Sequence, residues 1–344
     1  MGKTVKPLLW LVPAVADLVL SNMLLAVTRV LAPRLPSYAD PLTCMVAASF
    51  WGYLYFFIET VKRFQVSFSG DPLAPEDSAL LICNHRSYAD YVLIYALSLY
   101  YRMQGRCRFL VWRNLFTLPS LRWLLSSVLI PQNWSFSSET RRDKLFRRAQ
   151  LSDGPTWIVL FPESAKYSLE LAYEHIQFCR QNGLPKMTQC LYPRFEAFVP
   201  VVQHLQETKT VANVYDLTFV YRRADDAAGG VPPKAPSAAD DQAKVPETLY
   251  IQPDEAASVA ATYRSAPRLW DVLFGPPQAW ELHVHVRRLT VEQLPTSRYG
   301  LEKWLEKAWT KKNKLLEGVA KKGMAYKGLG EVYFPNDDIF LLEE

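Results

Sequence analysis

Residues 79–101 read ALLICNHRSYADYVLIYALSLYY. An uncharged run, Ala79–Cys83, ends in the polar turn Asn84-His85-Arg86-Ser87, and apolar and aromatic residues resume from Tyr88 to Tyr101. A short continuous apolar run, a polar turn and a longer apolar segment predict a buried strand passing directly into a helix. Outward from this unit the pattern repeats. Candidate strands are Cys107–Trp112, Trp157–Phe161, Phe198–Val202, Tyr215–Tyr221 and Glu281–Val286; candidate helices are Pro119–Val128 and Ser168–Gln181, the second stopped at Gly183. Strands separated by helices predict an α/β domain built around a largely buried sheet.

Toward the N-terminus the apolar content rises. Pro41–Ile58 carries no charge, and Leu8–Val27 is nearly as apolar apart from Asp17 and Asn22. At 1.5 Å per residue, about 18 residues reach roughly 27 Å, close to one hydrocarbon core. Arg29, Pro33, Arg34 and Pro36 read as the turn between the two stretches, so residues 1–64 are expected to form a membrane-embedded helical hairpin. A pair of buried core helices is the competing reading. Toward the C-terminus, residues 222–264 are dominated by Ala, Asp, Pro, Gly and Lys, with Gly229-Gly230 and Pro232-Pro233, and read as a polar insert. Residues 265–322 resume with a strand and an amphipathic helix, Tyr299–Ala320, whose Leu301, Leu305 and Trp309 share a stripe. Residues 323–344 form a tail. The α/β unit therefore falls in 65–221.

Composition narrows the function classes. A net charge of +5 over 344 residues is spread thinly, without the basic runs of a nucleic-acid binder. Five cysteines, an odd number with no CxxC spacing, argue against a disulfide framework and a zinc site. His283 and His285 fall on one face of a strand with no partnering carboxylate or Cys motif, so they read as structural and no metal is expected.

Chemistry is concentrated in the opening stretch. His85 and Asp90 are separated by four residues across a strand-to-helix turn. If the chain doubles back after His85, Asp90 in the first helical turn reaches one ring nitrogen. That fixes the tautomer, leaves the other nitrogen as proton acceptor and stabilises the imidazolium. With no Ser or Cys nucleophile evident beside it, such a pair suits direct deprotonation of a substrate hydroxyl. Taken alone, the spacing is common and more often marks a turn histidine beside a helix-capping aspartate.

Three further segments accompany it in order: Arg113-Asn-Leu-Phe-Thr-Leu-Pro119, Phe161-Pro162-Glu163-Ser164, and Leu191-Tyr-Pro193-Arg194 running to Pro200. With Asn84-His85-Arg86-Ser87-Tyr88-Ala89-Asp90 they make the chain resemble the glycerolipid acyltransferase family, the 1-acylglycerol-3-phosphate acyltransferases among them. Val214-Tyr-Asp216-Leu-Thr218, Leu269-Trp-Asp271 and His283-Val-His285 point toward its lysocardiolipin and lysophosphatidylinositol acyltransferase branch. The resemblance implies a mixed central sheet flanked by helices. It also implies an integral membrane enzyme of the endoplasmic reticulum that uses acyl-CoA as co-substrate, with no cofactor and no metal.

On these residues the resemblance implies His85 as general base and Asp90 as its orienter. Arg113, Glu163, Ser164, Lys166 and Arg194 would bind the acceptor and its phosphate, while Asn84, Ser87, Pro119, Pro162 and Pro193 shape the motifs. Backbone N–H groups near 162–164 and at helix N-termini are the expected oxyanion donors. Departures bear on the acceptor. Ser164 stands where the family usually has Gly, Ala165-Lys166 where Thr-Arg often follows, Gln132 where a basic residue often closes the second block, and Ala197 at the Gly of the fourth. The expected partners are acyl-CoA, a lysophospholipid and a bilayer, with no nucleic acid. A non-catalytic lipid-binding homologue and a hydrolase or thioesterase using the same His–Asp pair are the alternatives.

Overall fold

The computed structural model describes residues 5–112, 128–130, 154–223, 259 and 266–334. Two long helices come first, α1 (Val5–Leu31) and α2 (Pro36–Phe56), followed by a π-helical turn, Phe57–Val61. Then follow β1 (Gln65–Gly70), β2 (Ala79–Cys83), α3 (Ala89–Tyr100), β3 (Cys107–Trp112), β4 (Val128–Ile130) and β5 (Trp157–Leu160). Next come α4 (Leu169–Gln181), α5 (Phe195–Thr208), β6 (Asn213–Arg223), α6 (Leu269–Phe274), β7 (Trp280–Thr290), α7 (Arg298–Lys322) and β8 (Val332–Tyr333).

All eight strands belong to one sheet, in the order β4-β3-β5-β2-β6-β7-β1-β8. From β4 through β6 the strands are parallel; β7 lies antiparallel to β6 and parallel to β1. The sheet is therefore mixed and carries a helical layer on each face. β2 shows why the centre forms: all five of its residues are buried, as an inner strand of a two-sided sheet requires. Leu81 and Cys83 pack into one core with α3 and the base of the hairpin, and Leu80 and Ile82 into a second with α5 and α7. β7, from the segment after the polar insert, lies inside this sheet between β6 and β1, and β8 closes its edge beside β1.

Three elements depart from the pattern read in the sequence. Phe198–Val202 is part of helix α5, not a strand. Its buried residues Phe198, Val201, Val202 and Leu205 recur at helical spacing, a period that a five-residue apolar run is too short to reveal. Pro200 removes one backbone bond within the helix and is tolerated because tertiary burial outweighs propensity. β1 was not anticipated, since Ser67 and Ser69 interrupt its apolar content. β6 continues through Arg223, two residues into the stretch read as insert. The helix expected over Pro119–Val128 lies almost wholly outside the described residues.

The helices α1 and α2 pack against each other, with Thr43 Oγ1 meeting Thr28 Oγ1 at 3.5 Å. Both contain stretches long and apolar enough to cross a membrane, Val12–Leu31 and Ser37–Val61. Much of their apolar surface faces outward: Val12 is 69% exposed, Met23 64% and Met45 62%. The base of α2 is different. Trp51 stacks on Tyr95 of α3 at 4.2 Å, and the Tyr55 and Tyr100 hydroxyls are hydrogen-bonded.

Candidate active site

β2 ends at Cys83, and the chain turns through residues 84–88 before α3 begins at Ala89. The turn is fixed from several sides. Asn84 pairs its side-chain amide with the backbone of β6, accepting from Phe219 N at 2.7 Å and donating to Phe219 O at 3.1 Å. His85 donates its backbone N–H to Glu163 Oε1 at 3.4 Å and accepts from Tyr167 N at 2.8 Å. Ser87 Oγ accepts from Ala89 N at 3.0 Å and donates to the carbonyl of Pro267. The turn is thereby tied to β6, to the loop after β5 and to the segment before α6.

Asp90 is fully buried in the first turn of α3. Its Oδ2 accepts from Arg86 N at 2.8 Å, from Ser87 N at 3.0 Å and from His85 Nδ1 at 2.8 Å. The carboxylate thus satisfies two backbone N–H groups of the turn ahead of α3, and it sits at the helix start, where the dipole favours an anion. Its Oδ1 accepts from the hydroxyl of Tyr221 on β6. With Nδ1 carrying the proton toward Asp90, Nε2 is the basic nitrogen of the ring. Among the described residues Nε2 has no hydrogen-bond partner, although His85 is only 3% exposed.

His85 lines a cavity of about 310 Å³ together with Tyr88, Tyr91, Leu110, Phe161 and Lys166. The cavity sits beyond the carboxyl ends of β2, β3 and β5, where open parallel sheets hold their ligands. Its walls are largely apolar, and aromatic rings surround the imidazole: Phe161 at 4.6 Å and Tyr91 at 5.5 Å between centroids. Lys166 is exposed at its edge, with Nζ 5.7 Å from the Tyr88 ring centroid. Ser164 also lines the cavity and adopts φ +61°, the left-handed backbone that glycine accepts most easily. The Ser164 N–H, an expected oxyanion donor, is bound to Phe161 O at 3.0 Å.

The remaining expected site residues distribute unevenly. Glu163 turns inward: its carboxylate accepts from Leu191 N at 3.1 Å and from Trp309 Nε1 at 3.3 Å as well as from His85 N. Burial pushes the Glu163 carboxyl up to about 7, against the lowering influence of the Leu191 N–H, Arg86, Lys312 and Trp309. Pro162 and Pro193 flank a backbone bond, Arg194 N to Pro162 O at 2.8 Å, that joins the third and fourth sequence blocks. The Arg194 side chain is exposed and does not line the cavity. Arg113 and Pro119 lie outside the described residues, as does Gln132.

Two features of the site had no local sequence signal. Tyr221 meets Asp90 across 131 positions of chain. Lys312, on a helix whose lysines read as solvent-facing, is buried; it pairs with Asp216 at 2.8 Å and donates to the Leu217 carbonyl. His283 bridges Ser67 and Ser69 on β1, at 2.9 and 2.8 Å, and His285 meets Ser69 at 2.9 Å. Among the described residues no three His, Cys, Asp or Glu side chains form a metal-ligand set.

A family model described as Acyltransferase matches residues 65–201, and one described as Acyltransferase C-terminus matches residues 271–327. Together they span more than half of the chain. The chain is 25% identical over 290 residues to the probable 1-acyl-sn-glycerol-3-phosphate acyltransferase 5 of Arabidopsis thaliana, covering 83% of this chain and 62% of that protein. It is 22% identical over 281 residues to lysocardiolipin acyltransferase 1 of Gallus gallus, covering 81% and 63%. The chain thus spans under two thirds of the length of either relative. The crystal structure of the 1-acyl-sn-glycerophosphate acyltransferase of Thermotoga maritima aligns over 91% of this chain and 98% of that one, with 11% identity and a TM-score of 0.40. The first family match carries the His85–Asp90 turn and the Glu163 loop on the sheet described above, and the second carries the whole of β7 and α7: the chain belongs to the glycerolipid acyltransferase family.

Proposed function

We propose that this chain is an acyl-CoA-dependent O-acyltransferase that esterifies the free hydroxyl of a lysophospholipid at a membrane surface. The observation that carries the reading is the buried His85–Asp90 pair, whose second ring nitrogen stands unpartnered beside a largely apolar cavity. In the proposed step, His85 Nε2 takes the proton of the acceptor hydroxyl as its oxygen attacks the thioester carbonyl. A C–O bond forms, the tetrahedral oxyanion collapses, the C–S bond breaks, and the imidazolium returns its proton to the departing CoA thiolate. Asp90 holds the tautomer and stabilises the imidazolium between these transfers. The start of α4 contributes Ser168 and Leu171 to the cavity wall, so its positive dipole end faces the developing oxyanion.

Leu110, Val111 and Leu171 offer the acyl chain an apolar wall, and Lys166 stands at the edge as a cation for the acceptor phosphate. Glycerol-3-phosphate-type, inositol-type and cardiolipin-type lysolipids are the acceptors proposed, after the names of the relatives and the sequence blocks. The exposed apolar surface of α1 and α2 fits an integral attachment to a membrane, and the endoplasmic reticulum is the membrane proposed, after the family resemblance. Purified protein with labelled acyl-CoA and a panel of lysolipids tests the reading: label should enter phospholipid, and His85→Ala should lower the rate by roughly 10²–10⁴ while the protein still folds. Label released only as free fatty acid would make the chain a thioesterase, and a fully active His85→Ala would remove the proposed base.

A further inference from the structure

The geometry points to Tyr221 as a positioning residue of the catalytic pair, so that the working unit is His85–Asp90–Tyr221. This rests on His85 acting as the base, and it adds a third member from a distant strand. Asp90 has two carboxylate oxygens with different duties. Oδ2 serves the turn and the imidazole through Arg86 N, Ser87 N and His85 Nδ1; Oδ1 accepts from the Tyr221 hydroxyl. A donor on Oδ1 adds a stop on rotation about the Cβ–Cγ bond to the hold that the two backbone N–H groups have on Oδ2, and so sharpens the direction of the His85 contact. Tyr221 supplies that stop.

The phenol is suited to the task. Tyr221 is 7% exposed and lies on inner strand β6, held in register opposite Leu282 of β7. Burial, with the Asp90 charge beside it, holds its hydroxyl well above the usual phenol range, so it stays protonated and donates. A hydrogen bond from a neutral donor also disperses charge that would otherwise rest on the imidazole side of the carboxylate, making Asp90 a weaker attractor of the His85 proton. Tyr221 therefore sets both the direction and the strength of the pair. The other polar and titratable groups facing the pair are Arg86 in the turn, Cys83 at the end of β2, Tyr88 and Tyr91 from the start of α3, and Glu163 and Lys166 from the loop after β5.

Tyr221→Phe removes the hydroxyl and keeps the ring. Its kcat should fall about tenfold, with KM for acyl-CoA and lysolipid within about twofold, and the acid limb of its kcat/KM profile should move to higher pH by about half a unit or more. The direction follows because an Asp90 without its outer donor holds the imidazolium more tightly, leaving less free base at a given pH. An activity-independent reading comes from the NMR titration of the His85 ring in the full-length protein in detergent, which should move the same way. A profile and a His85 titration that both match wild type would overturn the proposal, whether or not kcat fell through loss of stability. Since the titration needs no turnover, a shifted titration in a protein that acylates nothing would support Tyr221 while removing the acyltransfer reading.

Discussion

Ser164 lines the cavity in a left-handed backbone conformation, φ +61°, at a position where the resemblance leads one to expect glycine. An L side chain there costs roughly 1–2 kcal/mol through the contact of Cβ with the carbonyl oxygen. Ser164→Gly would relieve that strain, offset by about 0.4–1 kcal/mol of added freedom in the unfolded chain. The net expectation is a gain of about 0.5–1 kcal/mol, seen as a melting temperature higher by a degree or two for a chain of this length. A lower melting temperature would mean that the 3.4 Å contact of Ser164 Oγ with the Pro162 carbonyl outweighs the strain. The position was legible in the sequence as a departure; that serine takes up the glycine-like backbone there was not, because φ is set by the closure of the whole loop onto Phe161.

At the level of elements, Glu163 holds three parts of the chain together. It leaves β5 and accepts from the turn after β2, from Leu191 ahead of α5 and from Trp309 of α7. Its carboxyl titrates near 7 in the folded protein against an ordinary 4.5, so the folded state keeps a proton that the unfolded chain releases over that interval. This contribution to stability is full below about pH 4.5, is lost as the pH rises toward 7 and is constant above that, a change on the order of 3 kcal/mol. Glu163→Gln has no such proton to lose. The stability of the variant relative to wild type should therefore improve between pH 5 and pH 8, as read from melting temperatures at each pH. A relative stability flat across that range would show that the carboxyl titrates as an ordinary one. The sequence marks Glu163 as a site residue for the acceptor, and its inward direction became visible only with α7 and Leu191 packed around it.

For the whole molecule, the hairpin carries the prediction of where the protein sits. Val12, Val15, Val19, Leu20, Met23 and Val27 are exposed on α1, while Trp51, Tyr55, Phe57 and Ile58 at the base of α2 and the turn after it are buried in the domain core. The hairpin thus offers apolar surface outward and is rooted in the α/β domain at its second helix. Scattered cations near an anionic surface contribute about 1 kcal/mol each and are screened by salt, far less than two apolar helices. The protein should stay in the membrane pellet through high-salt and alkaline washes and need detergent for release. Release by salt alone would assign α1 and α2 to a protein interface instead. Removing residues 1–61 should also destabilise the domain, because the Trp51–Tyr95 stack is lost with the anchor.

The sequence alone determined what depends on local order: the strand–turn–helix around His85, the apolar hairpin, the helix capped by Ser168 and the long C-terminal helix. In each, period, polarity and turn residues act within a few positions of one another. The tertiary structure decided what depends on distant partners. Phe198–Val202 became a helix because its apolar face had a sheet surface to cover, and β7 joined the central sheet by pairing with both β6 and β1. Lys312 was drawn inside by Asp216, and Tyr221 met Asp90 because parallel pairing of β2 with β6 carries both strands toward the same end of the sheet. The physical reason is the same throughout: side-chain chemistry and short-range periodicity are written in the order of residues, whereas the partner of a buried polar group is chosen by strand register and helix packing.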